Sequence, residues 1–349
     1  MRIFKEWRLI MKKALFIGGT GTISTAITAL APQCGFELYL LNRGNKSNFV
    51  PSGVKVIEAD IYNEPDVREK LKDIMFDVVV EFIAFNVDAL KRDVRLFQGK
   101  TKQYIFISSA SAYQKPLSSS YITESTPLYN PFWDYSRNKI AGEEYLMEEY
   151  RNNGFPVTII RPSHTYGDCD VPLAIHGNNG SYSVIDRIRK GKKVIVHGDG
   201  NTLWALTHNT DFAKAFVGIM GNSHAIGEAF QITSDESLTW NQIYEIIGDA
   251  VGVKPSIVHI PSETLAKAHP DFIGSLLGDK AHTVIFDNSK IKRLVPEYVA
   301  TTRFDQGVRS TLDYISNHPE LQKSDPDFDT WTDKMIETYE SFESNLPQF

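Results

Sequence analysis

The sequence predicts a doubly wound α/β domain on a parallel sheet, with a second, smaller lobe in the later half. Three observations carry this. Apolar runs alternate with segments of helical spacing or helix-start signals through the first 162 residues, and several runs are apolar throughout, as strands buried on both faces are. The first run stops at a glycine-rich turn that opens a helix, in "LFIGGTGTIS" at 15–24. After Pro162 the alternation gives way to Gly- and Asn-rich loops, "YGDCDVPLAIHGNNGS", where a substrate lobe would sit.

Taken in order, the strands are "KALFIGG", "ELYLLNR", "VKVIEAD", "DVVVEFIAF", "QYIFISS" and "VTIIRP". Between the first two, Ile23, Ala26, Ile27 and Leu30 recur at i, i+3, i+4 and i+7, which makes a helix that packs on the sheet. Strand, helix and strand within about 30 residues force parallel pairing, because parallel neighbours need a crossover. "MKKALFI" begins like a first strand, so residues 1–10 read as an N-terminal extension and Met11 as an alternative start. The acidic stretch "QKSDPDFDTW" before the last helix reads as a solvated face.

Bulk properties narrow the function. At 349 residues and 42% hydrophobic content the chain can bury one large or two intimate domains, an enzyme-sized body. A net charge of -6 and a pI near 5.9 give no basic footprint, so nucleic acid or an anionic membrane surface is not the expected partner. No apolar run approaches the roughly 18 residues of a membrane span, and the charged N-terminus does not read as a signal peptide; a cytoplasmic, soluble protein is expected. Cys34 and Cys169 are the sole cysteines, with no Cys/His cluster, so neither a disulfide framework nor a metal site is expected.

The glycine turn has a chemical use. Gly18, Gly19 and Gly21 let the backbone turn tightly and approach a pyrophosphate, whose charge meets the N-terminus of the next helix. Thr20, Thr22 and Ile23 complete that contact surface, and Ser24 stands where a third glycine is usual. At the end of the second strand, Asn42 and Arg43 replace the acid that would bind ribose hydroxyls; a guanidinium suits a 2′-phosphate, so NADP is expected ahead of NAD. Asp60, ending the third strand, is placed at the adenine and is equally able to cap the next helix, and Ile61 and Pro162 are further cofactor-binding candidates.

"FISSASAY" at 106–113 and "DYSRNK" at 134–139 carry the chemistry. Tyr135 and Lys139 are four apart on a predicted helix and so share a face. An ammonium beside a phenol lowers its pKa, which lets the phenol exchange a proton while a nicotinamide exchanges hydride.

At these residues the chain resembles the extended short-chain dehydrogenases/reductases, the NAD-dependent epimerase/dehydratase family. The glycine loop, the Ser-Ser-x-x-x-Tyr strand end, Tyr-x-x-x-Lys, "RPSHTYG" and "HGDG" followed by "THNTD" span most of the chain. The resemblance implies a Rossmann-type domain at 11–167 plus about 207–234, interleaved with a substrate-binding lobe at about 168–206 plus 235–349. It makes Ser109 the catalytic serine, Tyr135 the acid/base, and Lys139 the residue that binds the nicotinamide ribose and tunes Tyr135. His208 and Asp211 fall in a segment that shapes the lobe interface. The return to the sheet is expected near "EAFQITSD".

Departures from the family pattern narrow the chemistry. Ala110 and Ser111 stand after Ser109 where sugar 4,6-dehydratases of this kind carry Asp-Glu, so that dehydration is not expected. Trp204 stands where nucleotide-sugar epimerases place a diphosphate-binding arginine; it would either stack on the apolar face of an unactivated sugar or pack at an interface. Ser111 and Trp204 are the substrate-side candidates. The expected function is an NAD(P)-dependent oxidoreductase or epimerase at a secondary alcohol or ketone of a sugar. The alternatives are an RNA-binding member of the fold, similar to the chloroplast stem-loop-binding proteins, and a dinucleotide sensor. A homodimer is expected by analogy, through the helix that carries Tyr135 and its neighbour around 88–98, with Leu146, Tyr150, Tyr145 and Met147 as its apolar patch.

Overall fold

Seven parallel strands form the central sheet of the computed structural model, which describes residues 11–44 and 50–347; the expected 1–10 extension lies outside them. They are β1 (Lys12–Ile17), β2 (Phe36–Asn42), β3 (Lys55–Glu58), β4 (Val78–Glu81), β5 (Tyr104–Ile107), β6 (Val157–Pro162) and β7 (Ala229–Ile232), in spatial order β7-β6-β5-β4-β1-β2-β3. The order reverses at β1, which pairs with β2 on one side and β4 on the other. In such sheets the crevice beyond the strand ends at the reversal is where ligands bind.

The sheet is covered on both faces because its central strands carry apolar residues on both sides, as in Val78–Val80 and Tyr104–Ile107. Ala14 and Phe16 of β1 face one layer, where helices α1 (Thr22–Leu30) and α6 (Asn209–Ile219) bury Ile27, Phe212 and Phe216. Leu15 and Ile17 face the other, where α2 (Glu64–Leu71), α3 (Val87–Phe97) and α4 (Asp134–Asn153) bury Val67, Leu90, Phe97 and Leu146. α2 and α3 begin at Asn63 and Asn86, whose side chains accept the N–H of Asp66 and Ala89.

A separate core lies outside the sheet. The parallel pair Lys193–His197 and Ser256–Ile260 packs with α5 (Tyr182–Arg189), α7 (Trp240–Val251), α10 (Phe304–Asn317) and α11 (Pro326–Ser344) around Trp240, Tyr244 and Phe304. The short helices α8 (Ser262–Ala268) and α9 (Ser289–Leu294) flank a π-helical segment, Ile273–Lys280.

Two expectations are corrected. The acidic stretch at 322–331, which runs into α11, is structural: Asp325 accepts the Phe328 N–H at the start of α11, while Asp329, together with Asp333 just beyond the stretch, pairs with the buried Arg187 of α5, which offsets the desolvation cost that an unpaired guanidinium would carry. Of the apolar patch expected to carry a dimer, Leu146 is spent inside the chain. Leu146 is fully buried, and Tyr145, Met147 and Tyr150 pack half-buried on the same core, which leaves Glu144, Glu148 and Arg151 outward.

Candidate active site

The glycine turn sits at the carboxyl end of β1, at the sheet's point of reversal. Gly18 and Gly19 have φ of +99° and +98°, a left-handed backbone that a β-carbon resists. A β-carbon on Gly19 would also fall 2.8 Å from Leu40. Ser24 takes over the work of the missing glycine by local bonding: its hydroxyl accepts the Gly21 N–H at 2.9 Å, and Thr28 donates to the Gly19 carbonyl at 2.8 Å. The turn is thereby pinned to α1, with the helix N-terminus facing a cavity.

That cavity, about 700 Å³, is lined at one end by Gly18, Thr20, Gly21, Thr22 and Ile23, along its floor by Asn42, Arg43, Asp60 and Ile61, and at the other end by Ser109, Tyr135, Lys139 and Pro162. The residues singled out for a dinucleotide and for catalysis thus meet in one space. Asn42 accepts the Gly44 N–H at 2.9 Å, which holds the strand end, while Arg43 is exposed. Asp60 does not cap α2: β3 stops at Glu58, and Asp60 accepts the Tyr62 N–H at 3.0 Å inside the turn after it, leaving the cap to Asn63.

Two buried networks fix the helix that carries Tyr135 and Lys139. Glu143 of α4 forms a bidentate pair with Arg161 of β6, with guanidinium contacts of 3.0 and 2.6 Å, and also accepts the Ser108 hydroxyl. The carboxylate holds the guanidinium above its ordinary range against the opposing effect of burial. Lys139 donates to the carbonyls of Ala84 and Ile107, both at 2.8 Å, and so ties α4 to the ends of β4 and β5. Glu81, at the end of β4, accepts the Ile83 N–H and shapes the turn that presents Ala84.

Ser109 stands at the end of β5, where the chain leaves the sheet for a short 3₁₀ turn. Ser136 donates to Ser111 at 2.7 Å, which leaves the Ser111 hydrogen for Ser109, 2.9 Å away. Burial pushes the Tyr135 phenol above its usual range, with Asp279 adding to the rise and the nearby Ser109 hydroxyl opposing it. The expected lowering by Lys139 is absent in this geometry: the ammonium faces two carbonyls. Burial brings Lys139 down to about 8, against the pull of Glu81 and Glu143.

The substrate-side candidates change. Ser111 is 3% exposed and lies behind Ser109 as its hydrogen-bond partner, outside the cavity lining. Trp204 is corrected from a sugar platform to a packed residue: it is 3% exposed, tilted on Trp240 at 6.1 Å, with the Lys280 ammonium 5.9 Å from its ring. The aromatic rings beside the phenol are Trp133 and Phe85, at 4.9 and 6.3 Å from Tyr135. Sequence reasoning passed over both; Trp133, two residues before the tyrosine in the same motif, was the signal that could have found one of them. His208 caps α6 through Nδ1, 2.7 Å from the Thr210 hydroxyl.

Comparison with known proteins agrees with this geometry. Residues 87–233 match the sequence model of the NAD dependent epimerase/dehydratase family. Over that segment the chain carries the family's sequence pattern, and the relatives it resembles include reductases and epimerases. It is 23% identical over 291 residues to the 2′-dehydrokanamycin reductase of Streptomyces kanamyceticus, covering 82% of this chain and 80% of that one. It is 26% identical over 262 residues to a chloroplast stem-loop binding protein of 41 kDa from Arabidopsis thaliana, covering 71% and 66%. The fold is shared with an epimerase from Methanothermobacter thermautotrophicus at a TM-score of 0.73 and 17% identity, covering 89% of this chain and 94% of the other. Among the described residues no helix is long and apolar enough to cross a membrane.

Proposed function

We propose that the protein is an NAD(P)-dependent oxidoreductase or epimerase that acts at a secondary alcohol or ketone of a sugar-type substrate. The observation that carries this reading is the single cavity in which a glycine turn at the sheet's reversal point faces Ser109, Tyr135 and Lys139.

The cavity fits a dinucleotide. The Gly18–Ile23 turn and the start of α1 would hold the pyrophosphate, because two left-handed glycines turn the backbone there toward the helix N-terminus. Asn42 and Arg43 would hold the adenosine ribose, with the exposed guanidinium favouring a 2′-phosphate; Asp60 and Ile61 would border the adenine; Pro162 and Lys139 would border the nicotinamide end. A nicotinamide bound there supplies or removes the hydride.

Tyr135, protonated because burial raises its pKa, is the acid that gives its proton to a substrate oxygen during reduction and recovers it during oxidation. Ser109 holds that oxygen, and its own orientation is set by the Ser136–Ser111 relay behind it. Lys139 supplies positive charge below about pH 8 and holds its place through two carbonyls. A dehydrogenase would release the ketone; an epimerase would return hydride to its other face with the same three residues. Elimination is left out of the reading because neither Ala110 nor Ser111 bears the carboxyl it would use.

Tyr135→Phe tests this. Turnover of a panel of sugar alcohols and ketones, followed at the nicotinamide absorbance, should fall by about 10²–10⁴-fold, with dinucleotide affinity unchanged. Dinucleotide binding with no turnover by the wild type would point to a sensor. A salt-dependent shift of structured RNA, with no dinucleotide bound, would point to the activity named in the Arabidopsis relative.

A further inference from the structure

Phe85 is a large apolar side chain that stays open inside the reaction cavity. It lines the same space as Ser109, Tyr135 and Lys139, yet it is 55% exposed. Its ring lies 6.3 Å from that of Tyr135, tilted by 47°, and the Lys139 ammonium stands 4.9 Å from its centroid. Ile83, two residues earlier, is also exposed and lines the cavity with it. Exposed apolar residues scattered singly are ordinary. Two that share one turn and line one cavity are not scattered.

The main chain holds this turn in place before anything binds. After β4 ends at Glu81, the Ile83 N–H donates to the Glu81 carboxylate, the Ala84 carbonyl accepts from Lys139 at 2.8 Å, and the Asn86 side chain accepts the Ala89 N–H at 3.0 Å to start α3. Phe85 sits between two of these anchors, so its ring is presented from a fixed backbone and costs little to order on binding. Trp133, the other ring beside the phenol, is placed differently. It is half-buried, it is not part of the cavity lining, and the π-helical segment packs on it so closely that a β-carbon on Gly274 would fall 2.3 Å away. Trp133 backs the phenol, whereas Phe85 faces the space.

The charged groups of the lining are engaged elsewhere. They are Arg43 and Asp60, beyond the ends of β2 and β3, and Lys139, whose hydrogen bonds go to two carbonyls. Lys280, 6.0 Å from the Trp133 ring, lies outside the lining and pairs with Asp279 at 3.4 Å. Ser163, which does line the cavity, spends its hydrogen on the Ala205 carbonyl at 3.0 Å. At the phenol end the lining therefore offers hydroxyls for one oxygen and an apolar wall for the rest.

We propose that Phe85 is a specificity-determining residue on which the apolar face of an uncharged sugar ring lies while Ser109 and Tyr135 take the reacting oxygen. The inference rests on the reading of that pair as the reaction centre and deepens it: away from the reacting carbon, recognition is by contact with C–H groups and needs no charge on the sugar. A pyranoside suits the wall, because one face of its ring is rich in C–H while its hydroxyls stand at the edge, and aromatic walls with few polar groups are the usual lining of a small-molecule site.

The test is ligand-observed NMR titration of NADH-saturated protein with methyl β-D-glucopyranoside and methyl β-D-galactopyranoside, in the wild type, Phe85→Ala and Phe85→Tyr. NADH keeps the bound alcohol from being oxidised, so affinity alone is read. At least one glycoside should bind; Phe85→Ala should weaken it by about tenfold or more, as loss of apolar contact in a pocket does, and Phe85→Tyr, which keeps the ring, should bind as the wild type does. NADH affinity should be the same in all three. Phe85→Leu serves if the alanine variant does not fold, and should lose affinity with the ring. Binding of neither glycoside, binding that survives loss of the ring, or a fall in NADH affinity in Phe85→Ala, which would give the ring to the nicotinamide, would overturn the proposal. NADH binding with no effect of Phe85 on the glycoside defeats this inference alone, whereas failure of the wild type to bind NADH defeats the proposed function and this inference with it.

Discussion

The Lys139 ammonium stands 5.7 Å from the centroid of the Tyr135 ring and spends its hydrogen bonds on Ala84 and Ile107. The two residues share a helix face, as their spacing requires, yet the lysine braces the strand ends and leaves the phenol protonated. Phe85 and Phe106, whose rings lie 4.9 and 4.8 Å from the ammonium, attract it as a cation and offset part of the burial that lowers its pKa.

The buried ammonium sets the pH dependence of cofactor binding. Lys139 is held at about 8, so it is charged below that pH and neutral above it. If its ammonium helps to hold the dinucleotide, NADH affinity should be level below about pH 8 and fall above it. Lys139→Met should bind about tenfold or more weakly, with the step gone, as one lost charge-assisted contact would give. Fluorescence titrations from neutral to alkaline pH check this, and an unchanged profile in the variant would remove Lys139 from the binding site.

Gly19→Ala should damage the loop in two ways at once. The new β-carbon would face Leu40 at 2.8 Å in a backbone at φ +98°. A loss of about 1–3 kcal/mol in folding free energy is expected, together with a clear drop in dinucleotide affinity. Chemical denaturation and NADH titration on one preparation would check both, and a variant as stable and as tightly binding as wild type would show that the turn can relax.

Much of this site is legible in the sequence because its signals are local. Apolar runs such as 78–80 need two covered faces, and a strand followed by two left-handed glycines and a helix leaves the turn few other forms. Tyr135 and Lys139 meet by helix period alone. What escaped the sequence depends on contacts between distant segments. Nothing near Leu146 says whether its apolar face meets another chain or its own core, and nothing near Trp204 tells of Trp240. Asp329 and Asp333 look solvated until Arg187, more than 140 positions earlier, is folded beneath them.

Arg43→Glu should reverse cofactor choice. The guanidinium lies exposed at the end of β2, beside the cavity floor, with no carboxylate partner among the described residues. The wild type should bind NADPH more tightly than NADH, and the variant should invert the order by about tenfold or more through lost charge-assisted contact and added repulsion. An order left unchanged would mean that Arg43 does not read the 2′ position.

His197 should make the lobe sensitive to acid. It is 2% exposed, packed edge-on to Trp240 at 5.1 Å, with Nε2 3.0 Å from the Lys280 carbonyl, and burial brings its pKa down to about 4. The folded value lies below the ordinary 6.5, so between the two the unfolded chain binds more protons. The histidine's contribution is therefore present above about pH 6.5 and is lost as pH falls toward 4, on the order of 3 kcal/mol in all. Thermal melts across that range should show a fall in Tm that His197→Asn reduces; an equal fall in the variant would place the acid sensitivity elsewhere.

Every step proposed for Ser109, Tyr135 and Lys139 depends on a nicotinamide dinucleotide in the cavity between the glycine turn and the phenol. The most direct measurement is mass analysis of small molecules released on denaturing the purified protein, followed by titration of emptied protein with NAD, NADH, NADP and NADPH. One saturable site is expected for at least one of the four. A dinucleotide retained at one per chain would favour an epimerase that recycles it, and an empty but binding-competent protein would favour a dehydrogenase or reductase. Binding of none of the four would contradict the assignment of the cavity and the chemistry built on it.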